Sequence, residues 1–239
     1  MLKSRQEIKA SAKDAMKRQQ GAAIFIILVL IAIMVAIMIV DFILERVLGL
    51  VLISWLVYLP AMGIMFVLLV NCYLEFTKIY THQEASVNSM FANLNINFLR
   101  KLGGLLWMSL WHMLWSLLFV IPGIIKAFSY SMTPYILANH PNVTARQALK
   151  LSMRMTHGHK MDIFIFSLSF FGWFLLGSLT IHILSVIFVY PYYYTASAGL
   201  FVELRDKALS NGIISPEELG MDSMGGYNPM DNNQMGNFN

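Results

Sequence analysis

The chain has 239 residues, of which 57% are apolar and only 13% charged, with a formal net charge of +4. Soluble proteins run nearer roughly 45–50% apolar and 25% charged, so secreted, cytosolic and disordered descriptions of the whole chain are excluded. A single cysteine, Cys72, excludes an internal disulfide framework and a cysteine-cluster metal site.

In chain order, residues 1–20 read as a basic amphipathic helix. Ser4 and Glu7 form a capping box, Ile8, Ala12, Ala15 and Met16 share one face, and Lys9, Lys13 and Lys17 another. The basic region is too long, and the apolar run after it too extended, for a cleavable signal. A bilayer core about 30 Å thick needs roughly 20 apolar residues as helix, because buried backbone groups must bond internally. Residues 22–40 meet that need without one polar side chain, and residues 48–72 supply a second span. Val87, Met90, Phe91, Leu94 and Phe98 then form another apolar stripe, opposed by Asn88, Ser89, Asn93, Asn95 and Asn97.

Residues 102–121 supply the next span. Residues 123–139 are short, carry Lys126 near their start and contain Pro134, and so read as a short span or a re-entrant hairpin. Thr144 and Gln147 form a second capping box, after which Arg146, Lys150 and Arg154 oppose Ala145, Ala148, Leu149 and Met153, with Gly158 as a stop. The uncharged stretch 163–202 is too long for one helix and divides at His182 into spans over 162–180 and 183–203. Together, residues 21–205 make the transmembrane domain.

Charge decides between the two readings of 123–139. With six spans, one side holds the basic residues of the N-terminal helix, Lys78, Arg100 and Lys101, Arg146 to Lys160, and Arg205 and Lys207. Only Arg46 and Lys126 lie on the other. The positive-inside bias therefore favours six spans with both termini cytoplasmic, in the cytoplasmic membrane. The expected fold is all-α, a polytopic helical membrane protein with six transmembrane helices and amphipathic helices lying on the inner leaflet. Each amphipathic helix leads into a hairpin whose second arm holds a proline (Pro60, Pro134 or Pro191), which suggests three copies of one unit.

The tail, 206–239, reads as cytoplasmic and largely disordered. Ser215, Pro216, Glu217 and Glu218 are suited to starting one helical turn. Met221, Met224, Met230 and Met235 offer thioethers to a soft metal, but their irregular spacing argues against a site. No metal or cofactor is expected.

The stretch from Ile121 to Met132 (IPGIIKAFSYSM) is distinctive, as are Pro134 to Ala138, Ala148 to Ser152, Gly158-His159-Lys160, Leu168 to Trp173, Pro191-Tyr192 and Glu203-Leu204-Arg205. In that order and spacing they resemble the bacterial integral-membrane family catalogued as domain of unknown function 975. The resemblance covers about Leu2 to Arg205 and is strongest after Leu117. It implies a six-span or similar helical protein of the cytoplasmic membrane, mostly in Gram-positive-type bacteria. It implies no activity and carries over no catalytic or binding residue.

Chemistry has few candidates. No acidic residue lies at mid-span, and no metalloprotease, serine-elbow or phosphate-loop motif is present. Asp41, Glu45, Arg46 and Lys126 gather toward the outer side, where Lys126 could reach Glu45. Ser129, Tyr130, Ser131 and Thr133, with Asn71, could line a cavity bounded by the three prolines. Arg146, Lys150, Arg154, His157, His159 and Lys160 are expected to contact lipid head groups. His112 lies beside a stripe of Trp107, Trp111 and Trp115, where packing or lipid contact is expected. The first functional expectation is a non-catalytic membrane protein binding membrane lipids or a partner, either another membrane protein or a second copy, and no nucleic acid. The alternative is a transporter or permease-like protein for a small amphiphile or peptide, to be favoured by an inter-helix cavity with converging hydroxyls. A lipid-head-group enzyme is the third, and would need the outer or inner charges to converge.

Overall fold

The computed structural model describes residues 4–180 and 182–221, and the described residues contain helices and no strands. Helix α1 is Arg5–Arg18, α2 Gln20–Phe42, α3 Val51–Tyr80 and α4 Val87–Ala92. Then come α5 Phe98–Leu118, α6 Val120–Tyr130, α7 Thr133–Asn139, α8 Ala145–Met155, α9 Lys160–Leu179 and α10 Tyr190–Ser210. Among the described residues three runs are long and apolar enough to cross a membrane: Gln20–Val47, Val51–Tyr80 and Lys160–Leu179.

Local chemistry sets the ends. Both capping boxes form: Ser4 and Glu7 exchange side-chain and backbone bonds ahead of α1, and Thr144 and Gln147 do so ahead of α8. Gly158 and His182 adopt left-handed backbone at φ 81° and 63°, where the chain turns before α9 and after it. At the far end of α2 the helix loosens into a π-helical turn over Ile43–Val47, and the same happens over Ser185–Val189 before α10.

The expected stripe at 87–98 does not form one helix. Helix α4 ends at Ala92, and Asn97 turns left-handed at φ 54° to start α5, because a run of asparagines offers the backbone local alternatives to helix. The apolar faces of the other two short helices also differ from expectation in what they touch. Ile8, Ala12, Ala15 and Met16 of α1 are buried against α10 and α3, and Ala148, Leu149, Leu151 and Met155 of α8 are buried too. Those faces are occupied by protein, so they are not free to enter a bilayer.

The packing follows the threefold recurrence. The hairpins are α2–α3, α5 with α6 and α7, and α9 with the Ser185–Val189 turn that leads into α10, the last joined also by rings such as Phe170 and Tyr192, 5.1 Å apart. Helix α1 packs on α10, α4 on α3, and α8 on α7 and α5, so each short helix braces the closing arm of the hairpin before it in cyclic order. The closing arms meet at the centre. Helix α3 contacts both α7 and α10, and Tyr135 of α7 stacks on Phe201 of α10 with ring centroids 5.3 Å apart.

Burial concentrates at the end where the short helices lie, which we call the base. There Ile26, Leu68, Phe76, Ile136, Phe166 and Phe201 form one core. Toward the hairpin tips the protein does not cover itself: Leu52, Leu117 and Leu179 are 86, 78 and 75% exposed. Apolar surface that extensive is stable only in a non-aqueous surrounding.

Candidate functional site

The site begins at a broken helix. Helix α6 ends at Tyr130 and α7 restarts at Thr133, with Pro134 in its first turn, where a missing N–H costs nothing. The backbone groups freed by the break need partners. Ser152 of α8 supplies them: its hydroxyl donates to the Ser129 carbonyl at 2.8 Å and accepts from the Met132 N–H at 3.2 Å. Arg100 of α5 closes the other end of α7, donating to the carbonyls of Leu137, Val143 and His140 at 2.6, 2.7 and 3.2 Å.

Beside this break lies a cavity of about 490 Å³ between α3, the α5–α6–α7 hairpin and the α9–α10 hairpin. Its size falls in the usual range of small-molecule sites. Tyr73, Tyr130, Tyr135, Tyr193 and Tyr194 line it, as do Ser109, Ser131, Ser167 and Ser197, while Met108, Met113, Phe166 and Leu200 supply apolar wall. His112 is the one histidine of the lining, which holds no carboxylate, lysine or arginine. Tyr73 packs edge-on against Tyr135 at 4.7 Å and against Tyr194 at 5.8 Å, which ties α3, α7 and α10 together at one wall. The Tyr135 hydroxyl, on a residue only 3% exposed, finds no hydrogen-bond partner among the described residues, and neither does that of the fully buried Thr133. A buried hydroxyl without a partner costs about 1–3 kcal/mol, so this wall is built to receive a polar group.

Of the residues the sequence nominated, Tyr130 and Ser131 line the cavity, and Ser129 and Thr133 support it from the helix behind. Asn71 does not reach it. Its amide donates to the Met90 carbonyl at 2.9 Å and accepts from Lys101 Nζ at 2.6 Å, which locks α3, α4 and α5 together. Pro60 and Pro191 are absent from the lining as well. The outer cluster stays apart. Asp41 accepts a hydrogen bond from Ser54 within the first hairpin, and Glu45 lies 4.0 Å from its neighbour Arg46. Lys126 places Nζ 4.8 Å from the Trp115 ring centroid and 5.9 Å from that of Tyr130, so it stays on its own hairpin rather than reaching Glu45.

At the base, several residues expected at lipid head groups touch protein. Arg146 stacks over Trp107 at 5.1 Å. Arg154 pairs with Glu218 at 2.5 Å and with the Ile213 carbonyl, and holds that carboxyl below its ordinary range. His159 lies 3.3 Å from Asp162 and 3.0 Å from Lys207 Nζ. Lys150 and His157 are exposed and Lys160 is half-buried. The turn expected to start at Ser215 forms. A turn over Glu217–Leu219 buries Leu219 and Ile214 under the base, where Gly220 turns left-handed against Asn142. The expected disorder and Met224, Met230 and Met235 lie outside the described residues.

His140, in the connection after α7, is covered by that turn. Burial, helped by the Arg205 charge and opposed by a backbone hydrogen bond at Leu219, pulls its pKa down to about 3. The imidazole therefore stays neutral in the fold, while the unfolded chain takes up a proton near pH 6.5. Stability is then lost as pH falls below about 6.5, by at most about 1.4 kcal/mol per pH unit, until about pH 3. Denaturation profiles across that range are expected to flatten in His140→Gln relative to the wild type, and parallel profiles would contradict this.

Two charged residues are part of the core. Glu75 is fully buried and accepts from Lys78 Nζ at 2.8 Å and from the Ser86 N–H at 3.0 Å. Lys101 is 4% exposed and donates to Asn71 and to the Asn93 carbonyl. Among the described residues no group of three or more histidine, cysteine or acidic side chains is placed to hold a metal.

The class these features define is an all-helical protein that, among its described residues, has three helices long and apolar enough to cross a membrane. The model of the family described as protein of unknown function (DUF975) matches residues 117–208, which supports membership of that uncharacterised family. The matched stretch contains the broken helix, the Ser152 clamp and most of the cavity wall. No curated protein and no solved structure gives a match.

Proposed function

We propose that this chain is a non-catalytic integral membrane protein that holds a membrane amphiphile in the cavity beside the α6–α7 break. One observation carries this reading: hydroxyls from three hairpins converge on a half-open cavity with apolar walls, and the buried Tyr135 hydroxyl there lacks a partner among the described residues. A small number of polar groups set in an apolar lining is what amphiphile recognition needs. On this reading six spans cross the cytoplasmic membrane, with α5, α6–α7 and α10 completing the three hairpins. The base is cytoplasmic. Its support is the gathering of Lys78, Arg100, Arg146, Arg154 and Lys207 there, against Arg46 and Lys126 toward the tips.

Transport of the same amphiphile is the second reading. A helix broken beside the cavity and held by side-chain bonds is how carriers expose backbone groups to a midplane ligand. Residues Ser109 and Ser167 both line the cavity. Replacing them together, Ser109→Phe with Ser167→Phe, is expected to fill the space and leave the bundle intact. Lipid extracts of the protein purified in nanodiscs test this. An amphiphile enriched over the surrounding lipid in the wild type and depleted in the filled variant supports the reading; equal profiles refute it.

A further inference from the structure

The lining of the cavity is uncharged, yet one cation stands at its rim. Lys126 lies one turn nearer the tip than Tyr130, whose ring both lines the cavity and lies 5.9 Å from Lys126 Nζ. Trp115 and Tyr130 present only ring faces to that ammonium, and no carboxylate lies within 4 Å of it among the described residues. Ring faces attract a cation weakly and do not neutralise it. Lys126 is only half-buried, but a cation on a membrane-embedded hairpin is ordinarily met by a counter-charge.

The cavity next to it supplies donors and lacks an acid. The Tyr135 hydroxyl has no partner among the described residues, and the phenols of Tyr73, Tyr193 and Tyr194 stand on the same wall. Donors without a carboxylate, beside a cation without a counter-ion, select an oxygen-rich anion. From the rim, the exposed Leu117, Ile121 and Ile124 run toward the tip, uncovered by protein, and an alkyl chain can lie along them in lipid.

We infer that the cavity takes the anionic head group of a lipid amphiphile, and that Lys126 selects the charge. This rests on the amphiphile reading above and adds the class of head group. The test is tryptophan quenching by dibromostearate and by uncharged dibromostearyl alcohol, added to the protein in nanodiscs of zwitterionic lipid. Trp111 and Trp115 stand on α5 beside the rim, within reach of a brominated chain.

Saturable quenching is expected with the carboxylate, at concentrations about ten-fold lower than with the alcohol. Lys126→Gln should bring the two probes together by weakening the carboxylate alone, and Lys126→Arg should keep the preference. Equal saturation of both probes in the wild type, or a preference unchanged in Lys126→Gln, overturns the charge assignment and leaves the cavity reading standing. Quenching by both probes that is identical in the wild type and in the filled Ser109→Phe, Ser167→Phe variant overturns both.

Discussion

Glu75→Ala is expected to lower the unfolding free energy by about 3–5 kcal/mol, the range for breaking a buried ion pair from one side. The carboxylate is fully buried and holds two groups at once. Lys78 Nζ sits 2.8 Å away and continues to Ser89 Oγ at 2.6 Å, while the other carboxylate oxygen receives the Ser86 N–H at the start of α4. Removing it strands a partly buried ammonium and breaks one of the links between α4 and α3. Glu75→Gln keeps an oxygen for Ser86 and loses the charge, so its effect should fall between wild type and alanine. Equilibrium unfolding in mixed micelles measures the series. Equal stability of all three would contradict the packing described for this corner.

Gly199→Val is the second large effect. Helices α3 and α10 pack so closely there that an added Cβ would meet the Tyr80 ring at 2.3, 2.7 and 2.8 Å. An aromatic ring wedged between two helices cannot give way as a flexible chain end can. Overpacking of this kind costs about 1–3 kcal/mol, and the β-branch places it at the upper end. Tyr80→Leu opens the same space. The double variant should therefore be more stable than the sum of the two single losses allows, a coupling that a thermodynamic cycle reads directly. Strict additivity would mean that the two residues do not touch.

Much of the fold was legible because its signals are local. A capping box spans three residues, so Ser4 with Glu7 and Thr144 with Gln147 could be read from the sequence and form as read. Long uncharged runs foretold the apolar helices, and Gly158 and His182 mark turns where expected. What the sequence hid depends on contacts between distant segments. Nothing near Ser131 shows that Ser152, twenty residues on in α8, closes the helix break. The burial of Glu75 and Lys101 is likewise decided by α4 folding under α3 and α5.

The cavity was half legible for the same reason. Tyr130 and Ser131 stood out beside a proline in a short apolar segment. Tyr73, Tyr193 and Tyr194 did not, since tyrosines in apolar runs usually read as packing or as an interfacial belt, and only the meeting of α3 with α10 turns them toward one space. The outer cluster erred in the other direction. Lys126 and Glu45 share a side of the membrane in the six-span reading but belong to different hairpins, and Lys126 rests on Trp115 of its own. Membrane side is a one-dimensional property that places residues at similar depth without bringing them into contact.

Native mass spectrometry of the wild-type protein released from nanodiscs is the most direct measurement. One amphiphile retained per chain, and lost from the Ser109→Phe, Ser167→Phe variant, is the result that an occupied cavity predicts. A spectrum of the bare chain alone, from protein shown to be folded, would contradict it.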